Sequence, residues 1–321
     1  MRPTRRTMLA ALAATAVPLR ASAQSAYPNK PIRFILPFPA GSGTDTSARI
    51  VAKQLGEMTG QPVVVDNRAG GNGLIAAQAA ATSPLDGHTV FVTTMTTQSV
   101  NPWLYKKLPY VPQDFVPVTR FALSPMVLIV RPTDDQPKSL AELAALAKKK
   151  PGGLSYASGN TSSRLAAAVF LAQVGATGTH VPYKGTPQGI TDLIAGQVDF
   201  FCPDLSPAVP LIQQGRLRGL GVTGPARVAT LPGVPTMAEG GYPVGLITWS
   251  GAFLPPGTPV AIADQLEGLL RRAVASDEYQ KMVRDTGTIS GAQPRDQFAA
   301  FVKDELGVWG DAVRAAGIEP E

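Results

Sequence analysis

The chain has 321 residues, 44% of them hydrophobic and 16% charged. That supports a sizeable core and is more chain than one average domain uses, so two lobes are expected. Its 30 prolines and 32 glycines are scattered, which marks turns and excludes a low-complexity tract.

The formal net charge of +6 rests on the amino terminus, where Arg2, Arg5, Arg6 and Arg20 stand in a segment without acids. Without that segment the excess is only about +2, no signature of a nucleic-acid or membrane-surface partner. The segment itself reads as an export signal. A basic start leads into an apolar run from Met8 to Val17, and Ala21-Ser22-Ala23 offers a cleavage site before Gln24. The run is shorter than the roughly 20 apolar residues that span a bilayer. Arg5-Arg6 fits a twin-arginine signal, and a Sec signal accommodates the same pair. Either route delivers a chain beginning at residue 24 to the periplasm.

From there the pattern alternates. An apolar strand at 32–37 ends in Pro37-Phe38-Pro39-Ala40-Gly41-Ser42-Gly43, and a helix starts near Thr44, with Ala48, Val51, Ala52 and Leu55 at helical spacing. A second strand at 62–66 leads through Asn67 to Gly73 into an alanine-rich helix ending near Ala81, and a third strand occupies 89–93. The rhythm continues with strands at 126–130, 154–156, 180–182, 199–201 and 217–222, and with helices at 140–149, 163–174, 187–195 and 207–214. A Pro/Gly-rich stretch then reaches a strand near 251–254. Such alternation predicts α/β architecture with parallel sheets.

The last helix opens after Pro294, with Phe298, Phe301, Val302, Leu306, Trp309 and Val313 on one face, a core stripe with Trp309 as its anchor. Cys202 is the only cysteine, which excludes an intrachain disulfide and predicts a packed thiol. Lys148-Lys149-Lys150 reads as a solvated helix end.

Catalytic signatures are sparse. Only His88 and His180 occur, with neither His-Glu-x-x-His nor Cys-x-x-Cys, so no metal site and no cofactor are expected. Gly71-Asn72-Gly73-Leu74-Ile75-Ala76 fits a dinucleotide pattern, but the next strand ends in Thr93-Thr94 without the acid a ribose needs.

Two loops carry more. Residues 38 to 44 join a buried strand to a helix start, where unpaired N–H groups and the hydroxyls of Ser42 and Thr44 make an anion site. Asp45 would repel an anion and is better used at the helix start, paired with Arg49. In the second half, Ser158-Gly159-Asn160-Thr161-Ser162-Ser163 repeats the arrangement. Each loop alone also reads as an ordinary helix cap.

At these residues the sequence resembles the substrate-binding receptors of tripartite tricarboxylate transporters, the Bug family. The resemblance is carried by Tyr27-Pro28 to Ile32, Pro37-Phe38-Pro39-Ala40-Gly41, Asp45, Asp66-Asn67-Arg68, Asp86-Gly87, Asn101-Pro102, Leu104 to Tyr110, Val181-Pro182-Tyr183-Lys184-Gly185 and Gly196-Gln197-Val198-Asp199. It implies a two-lobed, type II-like periplasmic-binding-protein fold, with a first lobe of 24–125 and 246–321 and a second of 126–245. It further implies a monomer that binds a small carboxylate, catalyses nothing and serves a two-component membrane permease. By the same resemblance Phe38, Pro39, Ala40, Gly41, Ser42, Gly43, Thr44, Asp45 and Thr96 contact ligand from the first lobe, and Ser158, Thr161, Tyr183 and Asp204 from the second. Arg164 stands where the family usually has His, and Val169 where an acid is frequent, so the second-lobe contacts stay open. The competing readings are a receptor for an ATP-driven importer of amino acids or inorganic anions, and an α/β enzyme.

Overall fold

The computed structural model describes residues 27–321; the export signal expected at 1–23 lies outside them. The first sheet is built from β1 (Ile32–Leu36), β2 (Val63–Asn67), β3 (Thr89–Thr94), β4 (Val116–Pro125), β10 (Ile247–Leu254) and β11 (Ile289–Ser290), in the order β11-β4-β10-β3-β1-β2. The second contains β5 (Val127–Val130), β6 (Leu154–Ser158), β7 (Gly178–Pro182), β8 (Phe200–Phe201) and β9 (Arg218–Val222), in the order β7-β6-β8-β5-β9. The chain passes between sheets at Pro125–Val127 and returns between β9 and β10.

In the first sheet α1 (Gly43–Thr59) follows β1, α2 (Leu74–Ala81) follows β2, and a π-helical turn at Thr96–Val100 runs from β3 into the short α3 (Asn101–Leu104). The second lobe supplies α4 (Leu140–Lys149), α5 (Thr161–Val174), α6 (Thr186–Ile194) and α7 (Leu205–Gln213). After β10 come α8 (Val260–Val274), α9 (Asp277–Thr286) and α10 (Arg295–Ala315).

Both faces of each sheet are covered. Alternate residues of β1 show it: Ile32, Phe34 and Leu36 pack with α1 and α8, whereas Ile35 joins Phe91, Phe253 and α10 on the other face. The second sheet likewise turns Val127, Ile129 and Phe201 towards α6 and α7, and Leu128, Val130 and Phe200 towards α4 and α5. Helix α10 lies against both β4 and α5, so one apolar cluster runs continuously from lobe to lobe. Trp309 is fully buried there. Its indole and that of Trp249 both donate to Glu305, at 2.7 and 2.9 Å.

Three features correct the sequence reading. The sheets are mixed, not parallel: β10 runs antiparallel to β3 and β4, and β5 antiparallel to β8 and β9. Alternation fixes the direction only of strands joined through a helix, whereas β10 arrives from the other lobe and β5 continues β4 almost directly. Strand β4 itself, with α8 and α9, goes beyond the expected elements; β4 holds Pro117 and Pro125 and lacks strict alternation. Lys150 is not merely solvated, for its ammonium pairs with Asp199 at 2.6 Å. Cys202 is fully buried, and burial pushes its thiol pKa up.

Candidate functional site

Ser42 is the N-cap of α1, and its Oγ accepts the Asp45 N–H at 3.2 Å. The Asp45 carboxylate, 2% exposed, fixes the loop in turn. Its Oδ2 accepts the Gly41 N–H and Arg49 Nε, each at 2.9 Å, and its Oδ1 accepts Asn67 Nδ2 at 2.9 Å. Asn67 also donates to Phe38 O at 3.0 Å, tying the loop to the end of β2. Burial pulls the Asp45 pKa up, but these donors outweigh it and hold it below the ordinary carboxylate value. Gly41 sits at φ +82°, a left-handed conformation that favours glycine. Phe38 is half-buried, Pro39 and Ala40 exposed.

Asp45 is thus a structural acid with the Arg49 partner expected, and it takes one of the amides that the sequence reading offered to an anion. The amides of Gly43 and Thr44 have no protein partner among the described residues. Together with the Ser42 and Thr44 hydroxyl protons, they are the donors this helix start presents.

The second loop is built differently. Asn160 caps α5: its Oδ1 accepts Ser163 N and Ser162 Oγ, both at 2.9 Å, while Ser163 Oγ accepts Asn160 N at 3.3 Å. This reciprocal box leaves the amides of Thr161 and Ser162, with the Thr161 hydroxyl, as the counterpart donors. A side chain at Gly159 would meet the Thr186 backbone nitrogen at 2.4 Å, so only glycine lets this loop press against the start of α6. Ser158, 5% exposed, closes β6 with its Oγ 2.6 Å from His180 Nε2. His180 is held below its usual pKa by burial and by the Arg164 guanidinium.

The remaining expected residues are spread. Thr96 opens the π-helical turn after β3, half-buried, its N–H on Thr94 Oγ1 at 3.3 Å. Tyr183 donates its backbone N–H to Ser158 O at 2.8 Å, while its ring passes close to Gly189 of α6 and its hydroxyl lies by Asp192. Asp204 joins the two sheets: Oδ2 accepts Asn160 Nδ2 at 3.1 Å, and Oδ1 faces Thr248 Oγ1 of β10 at 3.3 Å. Burial raises its pKa, and the bonds from Asn160 and Thr248 only partly offset this.

Sequence reasoning did not assign Asn67, His180 or Thr248 to this arrangement, although Asn67 lies in the Asp66-Asn67-Arg68 motif. Each is brought in by strand pairing between distant segments. Among the described residues no group of three His, Cys, Asp or Glu could hold a metal ion, and no helix is long and apolar enough to cross a membrane.

The chain is similar to known proteins. A model described as the tripartite tricarboxylate transporter family receptor matches residues 47–318. A UPF0065 protein encoded in the tcbD-tcbE intergenic region of Pseudomonas sp. (strain P51) is 37% identical over 95% of this chain and 92% of its own. The periplasmic binding protein BugD superposes with a TM-score of 0.81 at 31% identity, covering 92% of this chain and all of that one. Rpa4515 from R. palustris, solved with adipate, gives a TM-score of 0.82 at 32% identity over the same shares. The two-lobed α/β fold and similarity along nearly the whole length place this chain in the tripartite tricarboxylate transporter receptor family of solute-binding proteins.

Proposed function

We propose that the protein captures a small carboxylate between its lobes in the periplasm, without chemical conversion, and delivers it as a monomer to a two-component membrane permease. The supporting observation is the pair of helix starts, each leaving two adjacent amides without a partner among the described residues (Gly43 and Thr44 on one side, Thr161 and Ser162 on the other), with side-chain hydroxyls beside them. A helix N-terminus carries partial positive charge, and two of them suit an anion whose charge is met by dipoles. The adipate in Rpa4515 agrees with this reading. We take residues 24–125 with 246–321 as one lobe and 126–245 as the other, because the chain changes sheet at these points. Export proceeds through residues 1–23 by the twin-arginine or Sec route; an Arg5→Lys, Arg6→Lys double variant retained in the cytoplasm selects the former.

Ser158 and His180 give the enzyme reading one specific observation, since a serine 2.6 Å from an imidazole is how a nucleophile meets its base. Two features argue against it. No carboxylate among the described residues orients the other ring nitrogen, and Arg164 beside the ring lowers its basicity.

A thermal-shift screen against mono-, di- and tricarboxylates and aromatic acids tests the proposal. At about 100 times its dissociation constant a true ligand adds roughly 2.7 kcal/mol of stability. Recovery of that ligand unchanged after long incubation is expected; its conversion by pure protein overturns the receptor reading.

A further inference from the structure

A hydroxyl has one proton, and at Ser158 two acceptors compete for it. In one arrangement Ser158 donates to His180 Nε2, and its oxygen then shows only lone pairs to a neighbouring anion. In the other the imidazole donates, and the Ser158 proton is released for the ligand.

We infer that His180 is a positioning residue, donating through Nε2 to Ser158 Oγ so that Ser158 turns its own proton towards the bound carboxylate. The inference rests on the proposed contact between Ser158 and the ligand.

The fold holds the pair in place. Parallel pairing sets Tyr156 opposite His180 and Ser158 opposite Pro182, so His180 and Ser158 stand two residues out of register, within a single side chain's reach. The His180 ring lies against Tyr156, centroids 5.4 Å apart. Arg164 of α5 and the Tyr156 phenol of β6 are the charged and titratable groups that face it, and β7 is the sheet edge. Burial and Arg164 both disfavour the imidazolium and so favour the neutral ring with one N–H. A neutral imidazole intrinsically prefers that hydrogen on Nε2, the nitrogen facing Ser158. An ionised carboxylate has no proton to give, so an occupied site requires the same direction: His180 to Ser158 to ligand. Arg164 has no carboxylate partner among the described residues, which leaves its charge to act on this corner of the cleft.

The chain's two histidines make the direction directly readable. His88 faces Asp86 through Nδ1 at 3.3 Å and accepts the Asn29 N–H at Nε2, so it is the Nδ1–H tautomer. In a 15N-histidine NMR spectrum of the purified protein, His180 should show the opposite, Nε2–H, pattern, with His88→Gln giving the assignment. An Nδ1–H ring at His180 overturns the inference, with or without ligand. With adipate as the probe, binding should raise the His180 pKa, because a nearby anion favours the imidazolium. His180→Phe should weaken adipate about five- to tenfold, the worth of one oriented hydrogen bond, and His180→Gln, which keeps a donor, should restore most of it. Equal loss in both variants overturns the directional role. Wild-type affinity in Ser158→Ala removes the contact underneath the inference, whereas a weakened Ser158→Ala protein with an Nδ1–H ring overturns the relay alone.

Discussion

The two helix starts proposed to hold the ligand carry opposite electrostatics. Beside α1, Asp45 is buried but receives an amide, an asparagine and an arginine, and it stays ionised below the ordinary pKa of 3.8. Beside α5 the nearby acid is Asp204, with Asn160 and Thr248 as its donors among the described residues, and burial lifts its pKa above 3.8. An aspartate next to a helix start is therefore not one kind of object. Given its own cation it becomes scaffold; left short of donors, it is a charge whose loss the protein gains from.

Their pH dependences should diverge accordingly. The folded pKa of Asp45 is depressed, so its stabilisation is complete above about 3.8 and fades as pH falls through the folded value. Asp204 has the opposite sign, since its penalty is fully present above its raised pKa and is relieved as pH falls through it towards 3.8.

The largest effect on binding should come from Ser42→Asp. Aspartate is a good N-cap, so the fold should persist, but its carboxylate would take up the Thr44 and Asp45 amides and repel the ligand. Calorimetry should show at least about 100-fold weaker binding; wild-type affinity would remove this helix start from the site. Asp45→Ala should lower stability by about 2–4 kcal/mol, because three donors lose a charged acceptor. Urea unfolding measures it, and a loss below 0.5 kcal/mol would contradict the scaffold role.

Asp204→Asn should act in the other direction. Removing the unfavourable charge while keeping an acceptor should tighten carboxylate binding at neutral pH by about three- to tenfold. Weaker binding would mean that Asp204 accepts a ligand hydroxyl or ammonium instead. Ser42→Ala loses both the cap and one donor, and should cost about 1 kcal/mol each in stability and in binding. The smallest effect belongs to Lys184→Ala: this exposed amine makes no hydrogen bond among the described residues, and less than about 0.5 kcal/mol should be lost. Abolished binding there would replace helix dipoles with a point charge on the second lobe.

Much of the framework was legible in sequence because periodicity and punctuation are local. The strand at 32–37, the stop at Gly60 and the apolar face of the last helix each follow from residues within a few turns, and the structure has them at Ile32–Leu36, Gly43–Thr59 and Arg295–Ala315. The pairing of Asp45 with Arg49 was equally readable, being one helical turn apart. Strand direction was not, and neither was β4, whose prolines hide a strand buried between β10 and β11.

By itself the sequence determined two α/β lobes, loops of small and hydroxylated residues at two helix starts, and the likeness to carboxylate receptors. The tertiary structure decided which donors those loops still have to offer. Asn67 reaches Asp45 across 22 residues of chain, His180 reaches Ser158 across the same number, and Thr248 reaches Asp204 across 44. Hydrogen bonds of that range exist only after the sheets have set strand order and register, so whether an amide or hydroxyl is free or spent is a property of the fold and not of the local sequence.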